Sequence, residues 1–452
     1  MAYLRALCCI GLCFAVAACT SSSALEQQSP PPDATVVPIG LGWSKSSINT
    51  VIFRHSPLVT GNGKQYASFY DADGRVVLAE RESASNTWRL AASQYTGNAA
   101  DAHNTISLGV DGNGIVHIAW DHHNNDLNYA QTLSPGSLQL TARRKTDGER
   151  ESRVTYPEFY ELANGDLLLT YRVGGSGNGD VVLKRYNSAE GKWCTLQSNL
   201  ISGKSAKAPI TQNAYTEMNV DLHGTIHLGW VWRRTPDVQT NHDVCYAKSS
   251  DGGKTWTDST GRPLSLPITD ANCETAVSIP ENSDLINQTT LAADDAGHPY
   301  IATYYKTPDN PVAQIRIVYN DGNGWKTSQV GDRHTALNLG GGGTKRIPLS
   351  RPLVLVNSGE LPRVHVIFRD EERGARVSIA STDNIQSGHW LIRDLTRESY
   401  GSWEPSFDPV LWRTRGILNL FLQNVDQLDG ADNQVRTDGP VPTMVSVLEC
   451  KP

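Results

Sequence analysis

The stretch "DAHNTISLGVDGNGIVHIAWDHHNN", residues 101 to 125, sets His103 ahead of a Gly-centred turn and a histidine pair, His122 and His123, just past the strand that follows. Imidazole titrates near neutrality and is a common metal ligand, so this spacing offers either proton transfer or metal binding. Tyr156, Arg172, Tyr215 and Arg233 come later in the chain. Taken singly, none of these says much. A lone His or Tyr in a strand is usually packed with a satisfied hydrogen bond, and an Arg at a strand end is usually solvated. Their meaning depends on whether the fold brings them to one place.

A repeat decides where they go. A turn containing Gly, then an alternating apolar strand, recurs as "GNGKQYASFY", "GNGIVHIAW", "ANGDLLLTY", "LHGTIHLGW", "DAGHPYIATYY", "SGELPRVHVIF" and "RGILNLFL". The copies align on Gly63, Gly114, Gly165, Gly224, Gly297, Gly359 and Gly416, seven in all and 51 to 73 residues apart. Period-two alternation between turn residues reads as antiparallel sheet, and no long stretch carries helical periodicity. One four-stranded sheet per repeat is the blade of a β-propeller, so the chain is expected to be all-β with seven blades. "SSDGGKTW", Ser249 to Trp256, matches the Asp-box pattern of a hairpin turn between outer blade strands, with echoes at "YNSAEGKW", "YNDGNGW" and "STDNIQSGHW". A ring closes only if the first strand joins the last blade.

In a propeller the first strand of each blade lines the channel, so residues at similar offsets from each Gly form a ring. One ring, ahead of the Gly, holds His103, Tyr156, Tyr215, Gln288 and Arg351. The other, past the end of the next strand, holds His123, Arg172, Arg233, Lys306 and Arg369. A hairpin returns the chain to the side it left, so both rings meet on one basic face. Alternation lets only one of His122 and His123 face the channel. No carboxylate or third histidine falls in phase with His103 and His123, which places metal binding there below acid–base chemistry.

The chain has 452 residues, 39% hydrophobic, with a net charge of −7, which describes a globular protein and argues against a nucleic-acid-coating role. Arg5 and the apolar run to Ala18 read as a signal peptide over residues 1–18. The run ends in "VAAC", which resembles a bacterial lipobox, with Cys19 as the lipid-carrying residue. Thr20 after it fits the outer membrane. Residues 19–40 read as a flexible tether and 41–452 as the propeller. Four cysteines remain, Cys194, Cys245, Cys273 and Cys450, which can pair in three ways in an oxidising compartment. A structural zinc held by Cys194, His242 and Cys245 is the weaker alternative, since their spacing matches no standard ligand pattern.

Together "HNTISLGVDGNGIVHIAWDHHNN", "TYPEFYELANGDLLLTYR" and "DVCYAKSSDGGKTW" resemble the BNR-type, seven-bladed-propeller polysaccharide lyases best known as ulvan lyases. The resemblance runs from about the first Gly turn onward. It implies an active site at His103, His123, Tyr156 and Arg172, with Tyr156 sixteen residues ahead of Arg172. The doubled "HH" leaves His122 a rival for His123. The implied reaction is β-elimination on a uronic-acid polymer of the sulfated ulvan type, without a required cofactor.

In that reaction Arg172 neutralises the uronate carboxylate, His103 is the base and Tyr156 the acid, although a Tyr deprotonated beside Arg can perform both steps. His123, Tyr215, Arg233 and Asn104 would contact the sugar. The partner is then an anionic polysaccharide, met by a monomer whose only membrane link is a lipid anchor. Two other functions compete. A sialidase-like hydrolase shares the propeller, and "KRIPLSRP" resembles its Arg motif, but Arg346 lies in the fifth or sixth repeat; hydrolysis would rest on Glu158 and Glu217, each two residues past a ring Tyr. A non-catalytic glycan-binding propeller is the other.

Overall fold

Each Gly of the repeat takes a positive φ that other residues rarely adopt, as at Gly114 (78°) and Gly165 (85°), and so turns one strand back on the next. Gly63 joins strands Leu58–Gly61 and Lys64–Tyr70, and Gly114 joins Ser107–Val110 and Val116–Ala119. Gly165 joins Val154–Glu161 and Leu167–Gly175, and Gly224 joins Asn213–Val220 and Ile226–Arg233. Gly297 and Gly359 do the same for the fifth and sixth copies. The seventh, Gly416, instead caps a short helix, Pro409–Arg415, that precedes strand Leu418–Gln423. These facts come from a computed structural model, which describes residues 34–51, 56–83, 85–357, 359, 362–430, 434–435, 442–450 and 452.

The strands form seven antiparallel sheets, the blades of a β-propeller. Closure follows the expected route. Strand Thr35–Gly42 pairs with Thr443–Cys450, which pairs with Leu418–Gln423, so the N-terminal strand is the outermost of the last sheet. This corrects one boundary: the propeller starts at Thr35, and residues 35–40 are blade rather than tether. The signal segment and Cys19 lie outside the described residues.

Apolar side chains fill the spaces between neighbouring blades. Val231, Val244 and Tyr246 of one sheet pack with Ile301, Tyr305 and Val318 of the next. Fully burying such a side chain stabilises the fold by about 1.5–3 kcal/mol. The Asp box forms as expected: Asp251 accepts from the backbone N–H of Lys254 and Thr255, Ser249 Oγ accepts from Gly253 N–H, and Trp256 is buried.

The channel has two unlike ends. At the Gly-turn end the helix Pro409–Arg415 sits in the wall of a cavity of about 500 Å³, where Arg413 donates to the backbone oxygens of Val220 and Glu161. Asp408, which caps this helix, also accepts from Thr60 and Gln65 of the first blade. At the other end the first strands begin, and the two rings of polar residues meet there.

Candidate active site

Asp101 organises the histidines. It is almost fully buried and stands two residues before His103, where an Asp side chain accepts from the backbone N–H two residues on, here at 3.0 Å. The same Oδ1 lies 2.7 Å from His103 Nδ1, and Oδ2 lies 2.6 Å from His123 Nδ1. Both Nδ1–H groups then donate to one carboxylate, which leaves Nε2 of each ring as an acceptor. Burial alone would raise the Asp101 pKa, but the two imidazoles hold it well below the usual carboxylate range. The rings stack, with centroids 4.1 Å apart. His123 is placed by pairing with Thr155, so the second blade's chain reaches the first strand of the third.

Tyr156 follows Thr155 in a bulge of strand Val154–Glu161 and has φ of 56°. A positive φ in a bulky residue costs roughly 1–3 kcal/mol and persists only where the surroundings enforce it, commonly at functional sites. Its ring lies 6.0 Å from His103 and 6.1 Å from Tyr215. Burial pushes its phenol well above the ordinary value, against the pull of Arg172. Arg172 stands over both tyrosines, 5.1 Å from the Tyr156 centroid and 5.8 Å from that of Tyr215. Its Nε donates to the Gly174 carbonyl, while its buried Nη1 has no hydrogen-bond partner among the described residues.

Tyr215 is the second unusual group. Burial alone would raise its phenol, but Arg233 and Arg172 together bring it down to about 8. Arg233 Nη1 donates to Tyr215 Oη at 2.9 Å, and its other nitrogens donate to the carbonyls of Thr235 and Pro236. Arg233 thus holds Tyr215 and its own loop.

The structure separates the expected residues. His103, His123, Tyr156, Arg172, Tyr215 and Arg233 share the mouth of the channel. His122 does not: it is buried, its Nε2 accepts from Asn128 N–H, and burial and Arg143 push its pKa down to about 3. Asn104 is buried beside His103, and its amide donates to the Asn98 carbonyl and holds the loop that carries Asp101 and His103. In the later blades Lys306 pairs with Asp284, Arg351 with Glu404, and Arg369 donates to the carbonyls of Ile347, Pro348 and Trp403. The bulge at Tyr156 breaks the alternation that was to put Glu158 beside it. Glu158 accepts from Tyr160, and Glu217, whose pKa burial raises well above its ordinary value, lines the cavity at the opposite end.

The metal readings change too. The carboxylate thought missing from the His103 and His123 phase is Asp101, and these three are the only group of at least three ligand-type side chains within reach of one another among the described residues. Their spacing is that of hydrogen bonds, however. Two ligands of a tetrahedral zinc, each ~2.1 Å from the ion, sit ~3.4 Å apart, so an ion would have to spread the cluster. Cys194, His242 and Cys245 form no such group. Cys194 is exposed on strand Lys192–Ile201, His242 contacts Asp243, and Cys245 Sγ lies 3.3 Å from Cys273 Sγ.

A seven-bladed propeller with a His, Tyr and Arg mouth defines the class, and the model of the BNR repeat-containing family matches residues 64–333; the chain belongs to that family. More narrowly, it is similar to the long isoform of ulvan lyase from Alteromonas sp., 27% identical over 236 residues, which are 42% of this chain and 23% of that one. The long isoform from Pseudoalteromonas sp. (strain PLSV) is 25% identical over 265 residues, 48% of this chain and 26% of the relative. The chain thus spans about a quarter of the length of these relatives. Among solved structures, a PL25 ulvan lyase superposes with a TM-score of 0.64 at 16% identity, covering 88% of this chain and 94% of the other. The polysaccharide lyase Uly1 gives 0.63 at 15%, covering 95% and 94%. At such identities these two show the fold alone.

Proposed function

We propose that this protein is a polysaccharide lyase that cleaves a sulfated, uronic-acid-containing polysaccharide by β-elimination. The observation that carries the reading is Arg172, a buried guanidinium with Nη1 unpartnered among the described residues, between two tyrosine rings and beside a carboxylate-held His103. A buried cation calls for an anion, and a carboxylate meets a guanidinium with two parallel hydrogen bonds.

His103 Nε2 takes the proton from C5 of the uronate. The electron pair of that C–H bond moves into the carboxylate, whose growing charge Arg172 offsets, an effect commonly worth about 3 kcal/mol. As the C4–C5 double bond forms, the bond from C4 to the glycosidic oxygen breaks, and that oxygen takes the proton of Tyr156, whose raised pKa keeps it protonated until then. His103 ends as imidazolium and Tyr156 as phenolate, and water returns both to their starting states. His123 and Tyr215 border the sugar.

The names of the relatives support this reading, as does a complex of the PL25 enzyme described as bound to "-[GlcA(1-4)Rha3S]-". The test is to incubate the protein with uronic-acid polysaccharides and follow new ultraviolet absorbance from the unsaturated uronyl end. New reducing ends without absorbance would mean hydrolysis instead. The same reading extends to an exported protein anchored through Cys19, and Cys19→Ala should then release it from the membrane fraction.

A further inference from the structure

We propose a second, non-catalytic anion site on the face of the active site: a pocket formed by Arg143, Arg144, Lys145 and Arg150 that takes a charged oxyanion group of the glycan outward from the catalytic ring. It rests on the lyase reading for the identity of the polymer, while its binding chemistry stands on the structure.

The cavity measures about 500 Å³ and has these four cations in its wall, with Asp126 and Glu151 as the opposing charges. On a chain of net charge −7 such a cluster needs a reason. Arg143 Nη1 donates to Asn128 Oδ1 at 2.7 Å and Arg144 Nη1 to Gln131 Oε1 at 2.8 Å. These are neutral amide oxygens, which orient a guanidinium without neutralising it. Among the described residues neither arginine nor Lys145 has a carboxylate within ion-pair distance, and Arg150 pairs with Asp180. Glu151 is buried and accepts through Oε1 from Thr146, from Gly148 N–H and from the buried Lys184, while its Oε2 has no hydrogen-bond partner among the described residues. Asp126 is exposed. Positive charge therefore dominates the pocket, and a concave wall focuses that potential.

Position ties the pocket to the active site. Strand His123–Asn125 runs directly into Asp126, Leu127 N–H donates to the Glu151 carbonyl, and Arg153 Nε donates to Asn124 Oδ1. The segment from Arg143 to Arg153 then enters strand Val154–Glu161, which carries Tyr156. A glycan leaving His123 outward along the second blade passes over these residues, and its sulfate or uronate groups meet the guanidinium forks.

The experiment is affinity electrophoresis of the Arg172→Ala chain, which keeps the polymer uncut, through gels holding a sulfated uronan, its desulfated form or its carboxyl-reduced form. Adding R143A/R144A/K145A should weaken polymer binding about tenfold, the loss of one or two charge-assisted hydrogen bonds. Adding K192A/K254A/K326A, three exposed lysines outside this pocket, changes the net charge equally and should leave retardation in place. Loss of binding on desulfation assigns the pocket to sulfate, and loss on carboxyl reduction assigns it to uronate. Melting curves, with R143Q/R144Q as a milder variant, show that the fold is kept. Equal binding by the parent and the pocket variant overturns the site, as does an equal loss from the lysine control, no retardation of the parent by any polymer, or equal retardation by inorganic polyphosphate. The lyase reading fails separately, when the unmodified chain gives no ultraviolet product.

Discussion

Two arcs of the channel mouth carry cations from the two rings and have opposite fates. In the third and fourth blades, Arg172 and Arg233 lie over tyrosines at the channel mouth, and neither has a carboxylate partner among the described residues. In the fifth and sixth blades, Lys306 and Arg351 are paired with Asp284 and Glu404, and Arg369 is fully buried among backbone carbonyls. A similar place relative to the repeat glycine therefore does not give an equal role. A cation with an internal counter-charge holds blades together, and one left facing the channel is available to a substrate.

The largest effect expected from this difference is on activity. Arg172→Ala should lower kcat/KM on polymer by about 10²–10³-fold, with little change in melting temperature; activity within tenfold of the parent would move the neutralising role to Arg233. Asp101→Asn comes next. Without a charged carboxylate, neither imidazole is fixed with Nε2 as the acceptor, and turnover should fall about 10²-fold, read in kcat more than in KM. Arg351→Ala should act in the opposite manner. It leaves Glu404 buried without its partner and should cost about 3–5 kcal/mol in urea unfolding, while the folded fraction keeps its turnover. If Arg351→Ala instead left stability unchanged and removed activity, the two arcs would be alike after all.

The pH profile sharpens the comparison further. Tyr215 is neutral below its lowered pKa of about 8 and becomes a phenolate above it, which cancels positive charge at Arg233 and Arg172 and repels a uronate. Activity should therefore fall as pH rises through that value, and Tyr215→Phe should flatten this alkaline limb at a modest loss of rate. The smallest expected effect is that of a strong chelator. Dialysis should leave activity at neutral pH unchanged; activity lost and then restored by zinc or calcium would make Asp101, His103 and His123 ligands.

Periodicity and turn chemistry made the fold legible in advance. Gly at a positive φ and alternating apolar residues are local signals, and seven phased copies leave one common architecture. Closure by the first strand followed from the same reasoning, but the tether boundary did not, because Thr35–Gly42 reads as a strand only against the partner Thr443–Cys450. The seventh copy hid a helix behind an ordinary Gly turn. In-phase histidines also divide. His117 and His227 follow their turn glycines at equal offsets, yet both are buried against the hydroxyls of Tyr129 and Tyr246.

By itself, then, the sequence determined the number of blades, the face on which titratable groups gather, and His103, Tyr156 and Arg172 as a set with one of His122 and His123. Asp101 was visible two places before His103, but its role depends on His123 arriving from 22 residues further along, which only the folded loop arranges. Tertiary structure alone decided three other matters: the bulge that strains Tyr156 and moves Glu158 off its face, the choice of His123 over His122, and which arginines keep a free side. The physical reason is the same in each. Periodicity fixes where a side chain starts, whereas burial and the nearest opposite charge, supplied by distant segments, fix what it can do.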